Sequence, residues 1–265
     1  MSPTVEKDDP AQYQGRTLAR PKVQGDYPTH IYLSFDIPPF FRTLVKEAQA
    51  DLPELHSLLD SPSNNQPPTD QAELDTPKRD KEKETKLHVS LSRPLYLRAD
   101  RKSAVEASLR DVVRTIKSFP LSFSTLSVFK NDDNTRTFLS IDVGAGFPEL
   151  EVLTESLNKS LDKHHLPPYY TSPRFHTSIA WALLTPSSNP SSHLPKSTLI
   201  PSIQHDRSNK PDQKSFPSIE GIPPDLVKKL DEKFGDRIRK EGPWLVDEVV
   251  CSYKGMTEIA RHVLG

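Results

Sequence analysis

Along the chain two hydrophobic periods alternate, and each change of period marks an element. In residues 30–36 (HIYLSFD), Ile31, Leu33 and Phe35 share one side of a period of two, which predicts a strand. Residues 40–50 have helical composition, and Pro53 marks the end, since proline cannot continue the helical bonding. Residues 86–97 predict a strand, or a strand pair broken at Pro94. Behind Asp100, a candidate cap, Val105, Leu109, Val112, Val113 and Ile116 recur at helical spacing. Residues 121–129 and 135–143 flank Asn131-Asp132-Asp133-Asn134, whose side chains favour turns, so they predict a hairpin. Leu150, Leu153, Leu157 and Leu161 outline another helix, 175–184 a strand, 225–239 a helix and 244–253 a closing strand. This order predicts an α+β domain in which helices cover antiparallel sheet.

Three stretches carry no period. Residues 1–26 are polar, 60–85 hold almost nothing that could enter a core, and 186–224 contain eight prolines among Ser, Asn and Lys. Such segments cannot bury enough apolar area to offset their ordering entropy. They predict a disordered tail over 1–26 and two disordered insertions, near 60–85 and 186–224, in one domain spanning 27–265. Composition then makes sense: 26 Pro against 9 Gly, and only 34% hydrophobic residues, are averages over a patterned domain and these stretches. No run of about 18 apolar residues exists to span a membrane, and the first residues lack the apolar core of a secretory signal. The single Cys251 excludes an internal disulfide framework and any multi-Cys zinc site. A net charge of −1 argues against a strong non-specific polyanion binder and leaves local basic patches open.

Chemistry enters through an echo. Residues 86–91 (KLHVSL) and 174–179 (RFHTSI) share the frame basic, apolar, His, x, Ser, apolar, and only His88 and His176 among nine histidines have Ser two positions on. In a strand, residues i and i+2 share a face, so His88 with Ser90, and His176 with Ser178, point away from the core. Two such strands facing one cleft present two imidazoles and two hydroxyls to one small ligand. That set suits in-line transfer at a phosphodiester. One neutral imidazole removes a proton from the attacking hydroxyl, and one protonated imidazole gives a proton to the leaving oxygen. The serines donate to nonbridging oxygens as charge builds there. This chemistry needs no metal or other cofactor, and the sequence holds no convincing metal cluster. Polar alternation on a half-exposed strand explains either motif alone without chemistry.

Paired His-x-Ser strands resemble the 2H phosphoesterase superfamily. Further stretches are similar to its U6 snRNA phosphodiesterase branch: residues 88–94 (HVSLSRP) with Leu97-Arg98, 134–138 (NTRTF) and 169–181 (YYTSPRFHTSIAW). The resemblance implies a two-lobed domain with antiparallel sheets lining a central cleft and helices outside. It implies a metal-independent 3′–5′ exoribonuclease that trims uridines from the 3′ end of U6 snRNA in the nucleus. The 2′-hydroxyl of the penultimate nucleotide would attack, leaving a 2′,3′-cyclic phosphate that some relatives open further. His176 is then the expected base and His88 the expected acid, with Ser90 and Ser178 as phosphate ligands. Tyr170 stands where the family stacks an aromatic on a base, and the turn 131–134 borders the uracil pocket. Asp132 occupies a place where relatives can carry an amide. The implied partner is a uridine-rich RNA end, for a monomer with no membrane attachment. Another 2H activity (cyclic phosphodiesterase or 2′–5′ RNA ligase-like) and a non-catalytic RNA-end-binding module remain alternatives.

Other polar positions have simpler readings. Arg93, Arg98, Arg136 and Arg174 can line an RNA path or stand solvated at strand edges. His164-His165 suits a dipole contact at a helix end. His193 and His205 fall in the second insertion, and Cys251 reads as a small buried apolar residue.

Overall fold

The computed structural model describes residues 23–60, 85–186, 216–253 and 259–265. Most of the expected tail and of both expected insertions, with His193 and His205, lies outside the described residues.

The patterned segments form the elements in chain order. They are β1 (Asp26–Phe35), α1 (Pro39–Asp51), β2 (His56–Ser57), β3 (Leu87–Ser90) and β4 (Leu95–Arg98), then α2 (Lys102–Val113), β5 (Phe119–Leu121), β6 (Phe123–Lys130) and β7 (Arg136–Val143). There follow α3 (Phe147–Lys163), β8 (His176–Leu184), β9 (Ser218–Ile219), α4 (Pro224–Lys240), β10 (Trp244–Val246), β11 (Glu248–Tyr253) and β12 (Ile259–Val263). The class is α+β. One large sheet runs β12-β11-β1-β3-β8-β7-β6, with β4 also on β1, and β2 and β9 on β8. Its two halves, one built on β1 and one on β8, join where β3 meets β8 at Val89 and Thr177.

The lower half hangs on β1. Residues 32–35 of β1 pair with β3 and residues 26–29 with β4, so the pair broken at Pro94 lies along a single edge. Between them the Ile31 amide donates to Ser92 Oγ at 3.0 Å, and the Leu91 amide donates to the Ile31 carbonyl at 2.9 Å. In the upper half, the β6–β7 hairpin is closed by Asn131, whose Oδ1 accepts the amides of Thr135 and Arg136 at 3.0 and 2.8 Å. Asn134 takes a left-handed φ of 50°, a conformation asparagine tolerates.

Alternation sets what each face does. Leu87, Val89 and Leu91 are buried, as are Phe175, Thr177 and Ile179, while His88, Ser90, His176 and Ser178 are not. Helices take the apolar face: α2 packs on β11, β12 and α3, α4 on β6, and α1 on β8 and α4. Each inserts a stripe, Phe40, Phe41, Leu44, Val45 and Ala48 from α1, and Leu226, Leu230, Phe234 and Ile238 from α4. At the bulge between Phe123 and Leu126, the Leu126 amide donates to Asp231 Oδ1 of α4 at 3.0 Å. A buried donor freed by the bulge thereby gains a partner.

The structure departs from expectation in several places. Asp100 sits inside a short 3₁₀ turn, Ala99–Arg101, and makes no capping bond. The closing strand 244–253 is two strands. β10 pairs with β5 in a small separate sheet, and β11 joins β1, because the chain changes sheets at Asp247. Ser218–Ile219, within the stretch read as an insertion, forms β9 parallel to the end of β8. The strands β2, β5, β9 and β12 were not expected; the first three are too short to show a period.

Thr177 is fully buried at the seam, and its hydroxyl lacks a hydrogen-bond partner among the described residues. An unpaired buried hydroxyl costs about 1–3 kcal/mol. Thr177→Val, which keeps the shape, should therefore raise Tm by roughly 2–12 °C in a thermal melt, at about 2–4 °C per kcal/mol. A lowered Tm would show that this hydroxyl is paired in solution.

Candidate active site

The seam register builds the site. Val89 and Thr177 face each other and point to the core. Continued by one residue each way, that antiparallel register sets His88 beside Ser178 and Ser90 beside His176 on the opposite face of the sheet. The outer strands extend both rows. Ser34 lies beside His88 and Tyr32 beside Ser90, while Ser140 lies beside Ser178 and Asp142 beside His176. The result is a pseudo-two-fold set of two imidazoles and two hydroxyls on neighbouring strands. Diagonal neighbours in such a pair stand about 7–8 Å apart, a span that a phosphate group can bridge.

His176 is held on three sides. Its Nδ1 lies 2.7 Å from the Arg174 carbonyl, which only accepts, so Nδ1 carries the proton and Nε2 is the free base nitrogen. The ring stacks on Phe129, with centroids 3.6 Å apart and planes at 13°. Arg174 lies over the Phe129 ring at 4.3 Å and donates to Asp142 Oδ2 at 3.2 Å, while Ser127 donates to Asp142 Oδ1 at 2.8 Å. Burial lowers the His176 pKa; the carbonyl contact and Asp142 oppose this, and Arg174 adds to it, leaving a net depression.

His88 rests against Tyr32, with ring centroids 4.2 Å apart. Protein packed around the cleft floor lowers its pKa as well, and solvent reaching this exposed side chain limits that depression. Behind it stands a third imidazole, His30. Its Nε2 lies 3.0 Å from Ser90 Oγ, and its ring stacks on Tyr32 at 5.1 Å. Burial, reinforced by the nearby charge of His88, pushes His30 down to about 4. The other motif serine, Ser178, shares a 2.9 Å hydrogen bond with Ser140.

A second cluster links three strand ends. Arg93 follows β3, Asp132 lies on the β6–β7 turn and Tyr170 precedes β8. The exposed Tyr170 donates its hydroxyl to Asp132 at 3.0 Å, and the Arg93 guanidinium covers its ring at 4.1 Å. Of the remaining candidates, His164 is structural: its Nε2 lies 2.8 Å from Ser108 Oγ and ties α3 to α2. Arg136 leans over Phe138 at 5.7 Å, and Arg98 ends β4. Cys251 is fully buried beside the Tyr253 hydroxyl, and burial pushes its thiol up to about 11.

Sequence reasoning missed His30 and Asp142. A signal was present for His30: in 30–36 the polar half of the alternation is His30, Tyr32 and Ser34, all on the face that the motif strand shares. Among the described residues, no group of three or more His, Cys, Asp or Glu could hold a metal ion, and no helix is long and apolar enough to cross a membrane.

A family model described as "HVSL: Uncharacterised conserved protein" matches residues 2–228, and His88-Val89-Ser90-Leu91 spells those letters. The U6 snRNA phosphodiesterase 1 of Neurospora crassa is 29% identical over 208 residues, covering 69% of this chain and 56% of that protein. The U6 snRNA phosphodiesterase 1 of Mus musculus is 26% identical over 190 residues, covering 69% and 61%. The chain thus spans about three fifths of the length of these relatives. A solved structure of Kluyveromyces marxianus Usb1 with uridine monophosphate is 15% identical, with a TM-score of 0.49 over 89% of this chain and 98% of that one.

Two consequences of the electrostatics can be measured. In the free protein His88 and His176 should titrate below the ordinary 6.5, and inorganic phosphate should raise both values, because a neighbouring anion favours imidazolium. NMR titration, assigned with His88→Asn and His176→Asn, reads this directly; no upward shift would mean that the rings do not share an anion site. For His30, folded protein binds fewer protons than unfolded between 6.5 and about 4. Its contribution to stability is therefore complete above pH 6.5 and falls by up to about 1.4 kcal/mol per pH unit towards pH 4. Denaturant titrations of wild type and His30→Gln should show that difference in slope; equal slopes would contradict it.

Proposed function

The chain belongs to the HVSL family, and from that premise we propose that it is a metal-independent phosphodiesterase that trims the uridine-rich 3′ end of U6 snRNA. The observation that carries this reading is the seam register, which brings two imidazoles and two serine hydroxyls onto one face of the sheet. The names of the curated relatives support that substrate, and a nuclear workplace is part of the same proposal. The protein acts as a monomer on the RNA end, without a membrane.

The chemistry follows from the groups. His176 Nε2 takes the proton of the penultimate 2′-hydroxyl, whose oxygen attacks the adjacent phosphorus. The bond to the O5′ of the terminal nucleotide breaks, and His88 delivers a proton to that oxygen. The shortened RNA ends in a 2′,3′-cyclic phosphate and the terminal residue leaves as a free nucleoside with a 5′-hydroxyl; water attacking the ring with the roles reversed gives a terminal phosphate. The His176 assignment is supported by its fixed Nδ1–H, which keeps Nε2 available as a base. The His88 assignment requires an imidazolium, and the bound phosphodiester supplies the negative charge that counters the depressed pKa. Ser90 and Ser178 donate to the nonbridging oxygens.

Base recognition falls to the second cluster. Arg93 covers one face of Tyr170, so the terminal base stacks on the other, worth about 1–3 kcal/mol. Asp132 holds the Tyr170 hydroxyl and has lone pairs left to accept the uracil N3–H.

In EDTA, the wild-type protein should shorten an oligouridine-tailed RNA, and His88→Ala and His176→Ala should each slow it at least about 100-fold with the fold intact. A 2′-deoxy penultimate nucleotide should block cleavage, since the nucleophile is gone. Inhibition by the chelator, or normal cleavage of the deoxy substrate, would overturn the mechanism. Binding without turnover would leave an RNA-end-binding module, and preferred opening of a small cyclic nucleotide would indicate another 2H activity.

A further inference from the structure

The two motif serines are held from behind by different groups. Ser178 on β8 bonds to Ser140 of the next strand outward, β7, and Ser90 on β3 bonds to His30 of the next strand on its own side, β1. Hydroxyl against hydroxyl leaves the direction of the bond free. An imidazole against a hydroxyl offers two directions only, set by which ring nitrogen carries the proton. His30 is also fixed in place: Thr29 and Ile31 on either side are buried, its ring stacks on Tyr32, and Tyr32 in turn backs His88.

A serine hydroxyl has one proton to give. If Ser90 gave it to His30, no donor would remain for an anion in the cleft. If His30 gives its Nε2–H to Ser90, one lone pair is occupied and the Ser90 proton is free for the ligand. We propose that His30 is a positioning residue of this site, donating from Nε2 to Ser90 Oγ so that the Ser90 hydroxyl is aimed and polarised towards a nonbridging phosphoryl oxygen. The inference rests on the phosphodiester reading of the cleft. Burial and the His88 charge keep His30 neutral, with a pKa of about 4, so it holds a single ring proton, which the proposal places on Nε2. The relay His30 to Ser90 to phosphoryl oxygen then gains from mutual polarisation of successive hydrogen bonds.

Two measurements test this. Long-range 1H–15N correlation on the full-length protein, with the His30 signals identified by their loss in His30→Gln, should show Nε2 protonated, both free and with inorganic phosphate bound. An unprotonated Nε2 would overturn the proposal whether or not the protein turns over RNA. On the uridine-tailed RNA, Ser90→Ala should lower kcat about 100-fold and His30→Ala about tenfold. The double variant should be no slower than Ser90→Ala, and His30→Gln, which retains an N–H donor, should recover most of the loss. Multiplying effects in the double variant would assign His30 a purely structural role. A wild type that cleaves no RNA would sink the phosphodiesterase reading and leave the tautomer, and phosphate binding by His30→Ala, to decide the inference.

Discussion

One antiparallel register joins the two halves of the sheet, and the site exists only in that register. Val89 opposite Thr177 puts both residues into the core and, by the same step, puts His88 beside Ser178 and Ser90 beside His176. A slip of one residue on either strand would send that strand's imidazole and hydroxyl under the helices and bring buried aliphatic side chains into the cleft. The penalty for such a slip is the lost burial of Leu87 and Val89 on β3, with Leu91 just beyond it, and of Thr177 and Ile179 on β8, all at most 1% exposed. At about 1.5–3 kcal/mol for each large aliphatic side chain, no slipped register competes. The seam itself is short, so its geometry depends on what lies outside it: β1 pairs with β3 over four residues, and β7 follows β8 from His176 to Leu183. The functional groups are cheap to place because the apolar core has already fixed the backbone beneath them.

The pattern that makes the core also explains which parts of the protein could be read in advance. Strands and helices long enough to complete two periods, such as β1, β8, α3 and α4, stand where alternation or helical spacing predicts them. The motif residues were legible because a strand's period of two ties His88 to Ser90 and His176 to Ser178 on one face. That they meet each other was not legible from residues alone, since the pairing of β3 with β8 is a contact between positions 88 residues apart. Two-residue strands have no period to show, which hid β2 and β9. The split of the closing strand at Asp247 depends on β5 being available as a partner for β10, and Asp100 lost its expected capping role to a tight 3₁₀ turn. His30 escaped for a different reason: it bears no motif of its own, and its relation to Ser90 arises only once β1 lies beside β3.

The two-fold arrangement is broken at the next layer of groups, and that breakage gives the imidazoles different chemistry. Around His176 stand a carbonyl that fixes Nδ1–H, a carboxylate on the adjacent strand and a guanidinium bound to that carboxylate. Protonation there places a positive charge near Asp142, so a ring that has accepted a proton is stabilised. Around His88 stand Tyr32 and His30, and burial is what depresses its pKa. A proton on His88 is less well supported, which is the property wanted in a group that must give it away. In the proposed reaction the same strand echo thus serves as one accepting and one donating ring, and the difference resides in residues outside the motifs.

His30 sharpens that asymmetry. Two imidazoles so close cannot both carry charge at neutral pH without mutual repulsion, and burial pushes both His30 and His88 down to about 4, with the charge of His88 adding to the depression at His30. Were His30 to hold the proton instead, its charge would depress His88 further and remove the proposed acid. Keeping His30 neutral thus leaves the neighbouring ring as the one that responds to an incoming phosphate. A donor to Ser90 that carries no charge orients the hydroxyl without competing for the anion, a combination that lysine or arginine at position 30 could not offer.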